Sequence, residues 1–237
     1  MLIAAALCPA PPLLARELTG ADPVVPELRQ ACREAVDELV RPAPDMLVVV
    51  GGAGEDRVFD PQASLDLTAY APALAARPGI ANRAAADRRP PLPLSVGLGS
   101  RLLDEAGYHG PRELHTVGEG TPAAACAELG ARLAAAAPRV ALLVMADGSA
   151  RRSRRAPGYL DARAEPFDAE VGGAIRAGDM VALLAIDAAL AAELLATGRA
   201  AWQVLAGAMT GRRPTCVVRY DDDPFGVAYL VASIAVA

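Results

Sequence analysis

Three short runs of purely apolar residues, separated by segments with helical periodicity, constrain the fold of this 237-residue chain more than any other feature. The runs are Leu2–Cys8, Met46–Val50 and Val140–Met145, and each has the length and composition of a buried strand. Between the first two, Pro26–Leu39 places apolar residues along one face of a helix. Strands that are apolar throughout and alternate with helices are typical of a sheet covered on both faces. The sequence therefore predicts an α/β fold, a three-layer α/β/α sandwich with a central, mostly parallel or mixed sheet.

The remainder of the chain extends this pattern. Further helices are predicted at 122–137, 168–175, 187–195 and 202–209, and closing strands at 216–220 and 227–234. The middle of the chain, Arg77–Gly99, is rich in Pro, Arg and Ala without a clear period, which predicts a long loop or lid. Because no internal repeat or linker interrupts the sequence, we expect one domain over residues 1–237.

Composition excludes several classes of function. Apolar residues make up 53% of the chain and charged residues 22%, the profile of a globular protein. A net charge of -5 argues against nucleic acid as a partner, because phosphate backbones require clustered positive surface. The four cysteines form no C-x-x-C pair, so no zinc knuckle or disulfide framework is expected. No segment has the pattern of a signal peptide or of a membrane span, so we expect a cytoplasmic protein without membrane contact.

Three loops are predicted to form a ligand-binding crevice. Pro9–Leu14, Gly51–Asp56 and Ala146–Arg155 each follow a buried strand, and open α/β sheets bind ligands where loops leave the carboxyl ends of strands. The candidate pocket residues are Asp147, Ser149, Glu55, Asp56 and His115. Two roles stay open for Ser149: a nucleophile, which would need a base that is not near in sequence, or a side chain that bonds backbone amides in a turn.

Charged clusters offer two further candidate sites, each with a simpler alternative. Arg151, Arg152 and Arg154, followed by Arg155, would suit bidentate binding of a carboxylate or phosphate, or they form a solvated loop. The run Asp221–Asp223 would suit a divalent cation, although consecutive carboxylates on a turn usually point in different directions into solvent.

The same three loops resemble motifs of one enzyme family. Cys8–Leu14 is similar to the Pro-His-Pro-Pro start of the catalytic subunit of class III extradiol ring-cleavage dioxygenases, the LigB-like proteins. Val48–Ala53 is similar to the strand that precedes the family's second histidine, and Ala146–Ala150 resembles its Gly-Asp-x-Ser-His element. Further matches are Phe167-Asp168 and the closing segment Pro224–Tyr229, so the resemblance extends over nearly the whole chain.

The resemblance implies a lost metal site. In the family, two of the three matching histidines ligate non-haem Fe(II) and the third acts as acid and base, whereas this chain has Ala10, Ala53 and Ala150 at those positions. The family's ligating glutamate would fall near Thr197–Ala201, where no acid occurs. Because a 2-His-1-carboxylate site needs two imidazoles on one face of the iron, we expect no metal and no cofactor.

One alternative keeps a metal in the protein. The only histidines are His109 and His115, with Glu113 and Glu119 nearby in sequence. This pair could form a relocated metal site. Alternatively, His109 lies at the surface in a Gly-rich turn and His115 enters a strand or loop.

Two functions follow from these observations. The leading hypothesis is a non-catalytic homologue of the dioxygenases that acts as a binding or scaffolding protein for a small anionic or aromatic ligand, with a homodimer as one form of assembly. The alternative is a divergent enzyme of the same superfamily, either metal-independent or with a relocated metal site. An active ring-cleavage dioxygenase is not expected, since ring cleavage needs the iron to bring oxygen and catechol together.

Overall fold

The fold is built on one seven-stranded sheet, seen in a computed structural model that describes residues 1–20, 24–72 and 89–236. The strands are β1 (Leu2–Cys8), β2 (Met46–Ala53), β3 (Arg57–Phe59), β4 (Arg112–Gly118), β5 (Val140–Met145), β6 (Pro214–Asp222) and β7 (Tyr229–Val236). Their order across the sheet is β3-β4-β2-β5-β1-β7-β6. The four strands β4, β2, β5 and β1 are parallel, while β3 and β7 each pair antiparallel with a neighbour, as does β6 with β7.

Helices cover both faces of the sheet. They are α1 (Arg16–Thr19), α2 (Pro26–Val40), α3 (Leu94–Glu105), α4 (Ala123–Ala134), α5 (Ala164–Ala177), α6 (Met180–Leu184), α7 (Ala188–Glu193) and α8 (Arg199–Ala208), with a short 3-10 helix at Pro12–Leu14. The helices α2 and α3 pack on one face, and α4 to α8 pack on the other. The predicted three-layer α/β/α sandwich with a mixed sheet is confirmed.

The apolar runs are apolar throughout because both faces of the sheet are buried. In β5, Val140, Leu142 and Val144 point into the core beneath α4 to α8, and the residues between them point into the core beneath α2 and α3. Strand side chains alternate between the two faces, so a strand covered on both sides needs an apolar residue at every position.

Helix α2 shows how the sequence specifies a local element. It begins at Pro26, which suits the first helical turn because the missing N–H would be unpaired there. Its buried residues are those predicted from helical spacing: Leu28, Ala31, Cys32, Ala35, Val36 and Leu39. The apolar stripe therefore decides which face of this helix packs on the sheet.

The structure corrects two sequence predictions. Part of the loop predicted over Arg77–Gly99 is helical, since α3 begins at Leu94; residues 77–88 lie outside the described ranges. Helix α3 contains Gly97 and Gly99, and a Cβ there would lie 2.7 Å from the Leu65 Cδ1 and 2.6 Å from the Val49 Cγ1. Close packing on the sheet thus selects glycines that weaken the helical signal. The predicted second strand also extends past Val50 to Ala53.

Strands β3 and β4 were not predicted from the sequence. β4 reads Arg-Glu-Leu-His-Thr-Val-Gly, and its first residues stay partly exposed because β3 covers only three positions on its outer side. A strand near a sheet edge can carry polar residues that a central strand cannot. None of the helices in the described ranges is both long and apolar enough to cross a bilayer.

Candidate functional site

The three predicted loops leave the same edge of the sheet. β2, β5 and β1 are neighbouring parallel strands, so the residues that follow them emerge side by side at their carboxyl ends. This edge is where α/β proteins bind ligands, because the loops there diverge and leave space between them. We use the name edge crevice for the region of this edge that residues 9–14, 54–56 and 146–155 flank.

Asp147 is the central polar residue of the edge crevice. It directly follows β5 and is half-buried, and its Oδ1 accepts a hydrogen bond of 2.7 Å from the backbone N–H of Ala10. Burial raises the pKa of the Asp147 carboxyl to about 6, and the Ala10 N–H opposes this only in part. No cationic side chain pairs with Asp147 in the described ranges, so nothing but the Ala10 N–H opposes the effect of burial on its pKa.

A segment that the sequence did not point to crosses this edge of the sheet. Residues 194–198, between α7 and α8, contact the β5–α5 loop and the end of β2. The N–H of Gly198 donates to the Asp147 carbonyl oxygen at 2.9 Å, and the N–H of Ala150 donates to the Leu194 carbonyl oxygen at 3.0 Å. A Cβ at position 52 would lie 2.3 Å from the Thr197 carbonyl oxygen. The two glycines, Gly52 and Gly198, are the only sequence signal of this close approach.

Tyr229 approaches Asp147 from the antiparallel side of the sheet. Its neighbour Ala228 accepts a hydrogen bond of 2.8 Å from the Gly148 N–H and donates one of 2.9 Å to the Ser149 carbonyl oxygen. These bonds fix the start of β7 against the loop that carries Asp147. Burial first, and then the negative charge of Asp147, raise the pKa of the Tyr229 phenol, which therefore stays protonated. Sequence analysis did not identify Tyr229.

Ser149 is occupied by a structural role. Its side chain is fully buried, its Oγ donates to Asp168 Oδ2, and its backbone N–H donates to Asp168 Oδ1 at 2.9 Å. Arg152 lies 3.7 Å from the same carboxylate. Burial raises the pKa of Asp168, while Ser149 and Arg152 lower it. Of the two roles left open, the geometry favours the one that tightens the loop, because the Ser149 hydroxyl and backbone N–H both bind Asp168 and the side chain is fully buried.

The remaining loop acids and arginines lie at the periphery. Glu55 is exposed, 3.7 Å from the Arg57 guanidinium, and Asp56 accepts hydrogen bonds from the Gly118 N–H at 2.6 Å and the Thr121 hydroxyl at 2.7 Å. The Arg152 Nε donates to the Asp223 carboxylate at 2.6 Å, so the guanidinium of Arg152 already has an acidic partner. The two remaining anion-site candidates differ in setting. The Arg151 side chain is partly buried and its Nε has no hydrogen-bond partner, whereas Arg154 is exposed.

The two histidines do not come together. His115 lies in β4, and its Nε2 is 2.9 Å from the Glu113 carboxylate. His109 is exposed after α3 and lines a cavity of about 940 Å³ together with Leu65, Arg101 and Arg112, away from the edge crevice. Within residues 1–20, 24–72 and 89–236, no three His, Cys, Asp or Glu side chains are grouped as metal ligands would be.

The residues of the edge crevice do not fit an iron centre. The three positions that match histidines of the resembling family carry only methyl groups, and Ala10 presents its backbone N–H to Asp147. One carboxylate that already accepts a hydrogen bond is not a substitute for two imidazoles and a carboxylate. The run Asp221–Asp223 is also divided, since Asp221 pairs with Arg176 and Asp223 pairs with Arg152.

Comparison with known proteins supports the fold. No protein-family model matches the sequence, and no curated protein matches it. The structure of the uncharacterized protein JW3007 from Escherichia coli K12 is similar, with a TM-score of 0.58 and 16% sequence identity over 98% of this chain and 99% of that one. At this identity the similarity extends to the α/β architecture of the whole chain and to nothing finer.

Proposed function

We propose that this chain is a small-molecule-binding protein with the framework of the class III extradiol dioxygenases and without their metal centre. The proposal rests on one observation, the unpaired Asp147 carboxyl in the edge crevice. A carboxyl that is half-buried without a cation is costly to the fold, and such groups mark binding or catalytic sites more often than structural ones.

The chemistry of the crevice selects the ligand. Asp147 offers a carboxylate oxygen as acceptor, and Tyr229 contributes a protonated phenol beside it. The alanine methyl groups at positions 10, 53 and 150 leave an apolar lining where larger polar side chains would stand. We therefore propose a small aromatic or aliphatic ligand that donates a hydroxyl hydrogen to Asp147. An anionic group on the ligand would meet Arg151 or Arg154, because Arg152 is engaged by acids.

Ligand-observed NMR with catechol, phenol and benzoate as probes tests this proposal. The hydroxylated probes should give saturation transfer with the wild-type protein at pH 7.5, and Asp147→Ala should abolish it because the acceptor is lost. Glu128→Ala, which removes an exposed carboxylate on α4, should bind as the wild type does. Equal binding by Asp147→Ala would contradict the proposed site.

Metal analysis tests the second half of the proposal. Untagged protein reconstituted with Fe(II) should retain no stoichiometric metal, and a catechol panel should give no yellow ring-opened product. One tightly held iron per chain would overturn the non-catalytic interpretation.

A second candidate, a metal-independent enzyme, is favoured by the raised pKa of Asp147. A carboxyl that titrates near pH 6 can accept a proton from a substrate at neutral pH, as general bases do. Turnover of a small hydroxylated substrate that rises through pH 6 and is lost in Asp147→Asn would favour this candidate over simple binding. Binding without turnover would favour the first.

A further inference from the structure

Four large apolar side chains are exposed beside the edge crevice. Tyr159 is 60% exposed, Leu160 46%, Leu195 42% and Phe225 46%. We call these four residues the apolar rim. Contiguous exposed apolar side chains of this size are uncommon on a monomer and mark interaction surfaces.

The contacts between their neighbours make the rim one surface. A Cβ at Gly158, next to Tyr159, would lie 2.6 Å from the Leu195 Cδ1. On the other side, a Cβ at Gly226, next to Phe225, would lie 2.6 Å from the Ala156 Cβ, and the Tyr159 N–H donates to the Ala156 carbonyl oxygen at 2.9 Å. The β5–α5 loop therefore has Leu195 on one side and Phe225 on the other.

The backbone conformation at two residues of the apolar rim is unfavourable in free energy. Tyr159 and Leu195 have φ of 61° and 56°, in the left-handed region that bulky residues rarely adopt. Each such residue costs about 1 kcal/mol relative to an extended or right-handed conformation. Hydrogen bonds of the surrounding loop hold this conformation, and it directs two large apolar side chains outward.

Unpaired charges of both signs flank the rim. Arg154 and Arg155 are exposed on the β5–α5 loop and form no ion pair within the described ranges. Asp222 is exposed where β6 enters the turn that carries Phe225, and its carboxylate has no cationic partner there. An apolar surface flanked by positive charge on one side and negative charge on the other can pair with a second copy of itself, as a two-fold interface requires.

We propose that the apolar rim is the interface of a two-fold symmetric homodimer, with Arg154 and Arg155 of one copy facing Asp222 of the other. A second copy is favoured over a partner of one charge sign, because such a partner would leave Arg154 and Arg155 or Asp222 facing a like charge. In this dimer the loop that carries Asp147 lies against the interface, so each copy covers part of the other's edge crevice.

Sedimentation equilibrium from micromolar to submillimolar protein tests the proposal. We expect a reversible dimer, a dissociation constant raised about tenfold or more by Phe225→Asp, and little change from Val181→Asp, a matched control on the exposed side of α6. Val181 is 76% exposed, so the control adds the same charge to an apolar position that is more accessible than Phe225. Far-UV circular dichroism verifies that each variant folds, and Tyr159→Ser replaces Phe225→Asp if the latter does not.

A charge exchange tests the orientation of the two copies. Arg155→Asp should weaken the dimer severalfold, and combining it with Asp222→Arg should restore part of the loss, because Arg154 then faces a like charge. A monomer at every concentration, or a dimer that Phe225→Asp and Val181→Asp affect equally, would overturn the proposal. A dimer weakened by Phe225→Asp but not restored by the charge exchange would overturn the proposed facing of Arg155 and Asp222.

Discussion

Asp147 and Asp168 are two aspartates with raised pKa values in neighbouring parts of one edge of the sheet, and they differ in what surrounds them. Asp168 accepts two hydrogen bonds from Ser149 and lies near Arg152, so each of its oxygens has a partner. Asp147 accepts one backbone hydrogen bond and has no cationic partner among the residues that the structure describes. Burial alone therefore does not identify a functional carboxyl. Asp147, whose carboxyl can accept further hydrogen bonds, is the candidate functional residue. Asp168, whose oxygens both have partners, has a structural role.

The largest loss of stability is expected from removing Asp168, whose oxygens both have partners. Asp168→Ala should destabilise the protein by about 3 kcal/mol, because the buried Ser149 N–H and hydroxyl lose their acceptor and Arg152 loses a counter-charge. Urea unfolding at pH 7 measures the change, with Glu128→Ala, at an exposed position on α4, expected to stay within about 0.5 kcal/mol of wild type. A loss below about 1 kcal/mol for Asp168→Ala would remove the contrast between the two aspartates.

A somewhat smaller loss of stability is expected where residues 194–198 contact the backbone of Asp147. Gly198→Ala would place a Cβ 2.5 Å from the Asp147 carbonyl oxygen, and the resulting displacement should cost about 2 kcal/mol. Gly173→Ala is the matched control, since a Cβ there meets nothing within 4 Å on the exposed side of α5. This control should stabilise the protein by up to about 1 kcal/mol through helix propensity. Equal effects of the two substitutions in a thermal melt would show that the close approach is not required.

The smallest expected change in stability is a gain, and it depends on pH. Because the pKa of Asp147 is raised to about 6 in the folded state, the protonated carboxyl favours folding below about pH 4, and this contribution is lost as the pH rises through 6. At pH 7.5 the buried charge therefore costs stability, and Asp147→Asn should stabilise the protein by about 1 to 2 kcal/mol. Urea unfolding at pH 4.5, 6 and 7.5 should show this gain growing with pH. A gain that does not change with pH would mean that the carboxyl titrates normally.

Central elements were predictable from the sequence because burial on both faces leaves no choice of residue type. β1, β2 and β5 are purely apolar and were found within a few residues of their bounds, as was α2 with its full buried face. Near the sheet edge this constraint weakens, so β4 keeps polar residues, and in α3 close packing replaced helix-forming residues with glycines. Tertiary packing overrode local propensity in both cases.

The candidate site was predictable in its position and not in its details. Strand order alone places loops after β1, β2 and β5 at one edge, and Asp147 was among the residues named there. Sequence could not distinguish the role of Asp147 from that of Ser149, since the partner of Ser149 lies nineteen residues away in α5. It also could not reveal residues 194–198, whose contribution is made by backbone groups rather than by side chains.

The position of β1 in the sheet has a consequence for synthesis of the chain. β1 pairs with β5 on one side and β7 on the other, and both of these strands are made well after it. The apolar stretch Leu2–Cys8 must therefore wait with unpaired backbone groups while most of the polypeptide emerges from the ribosome, a period in which it can pair with other nascent chains. Completion of the sheet depends on contacts between distant parts of the chain, which makes slow, late folding the expected behaviour.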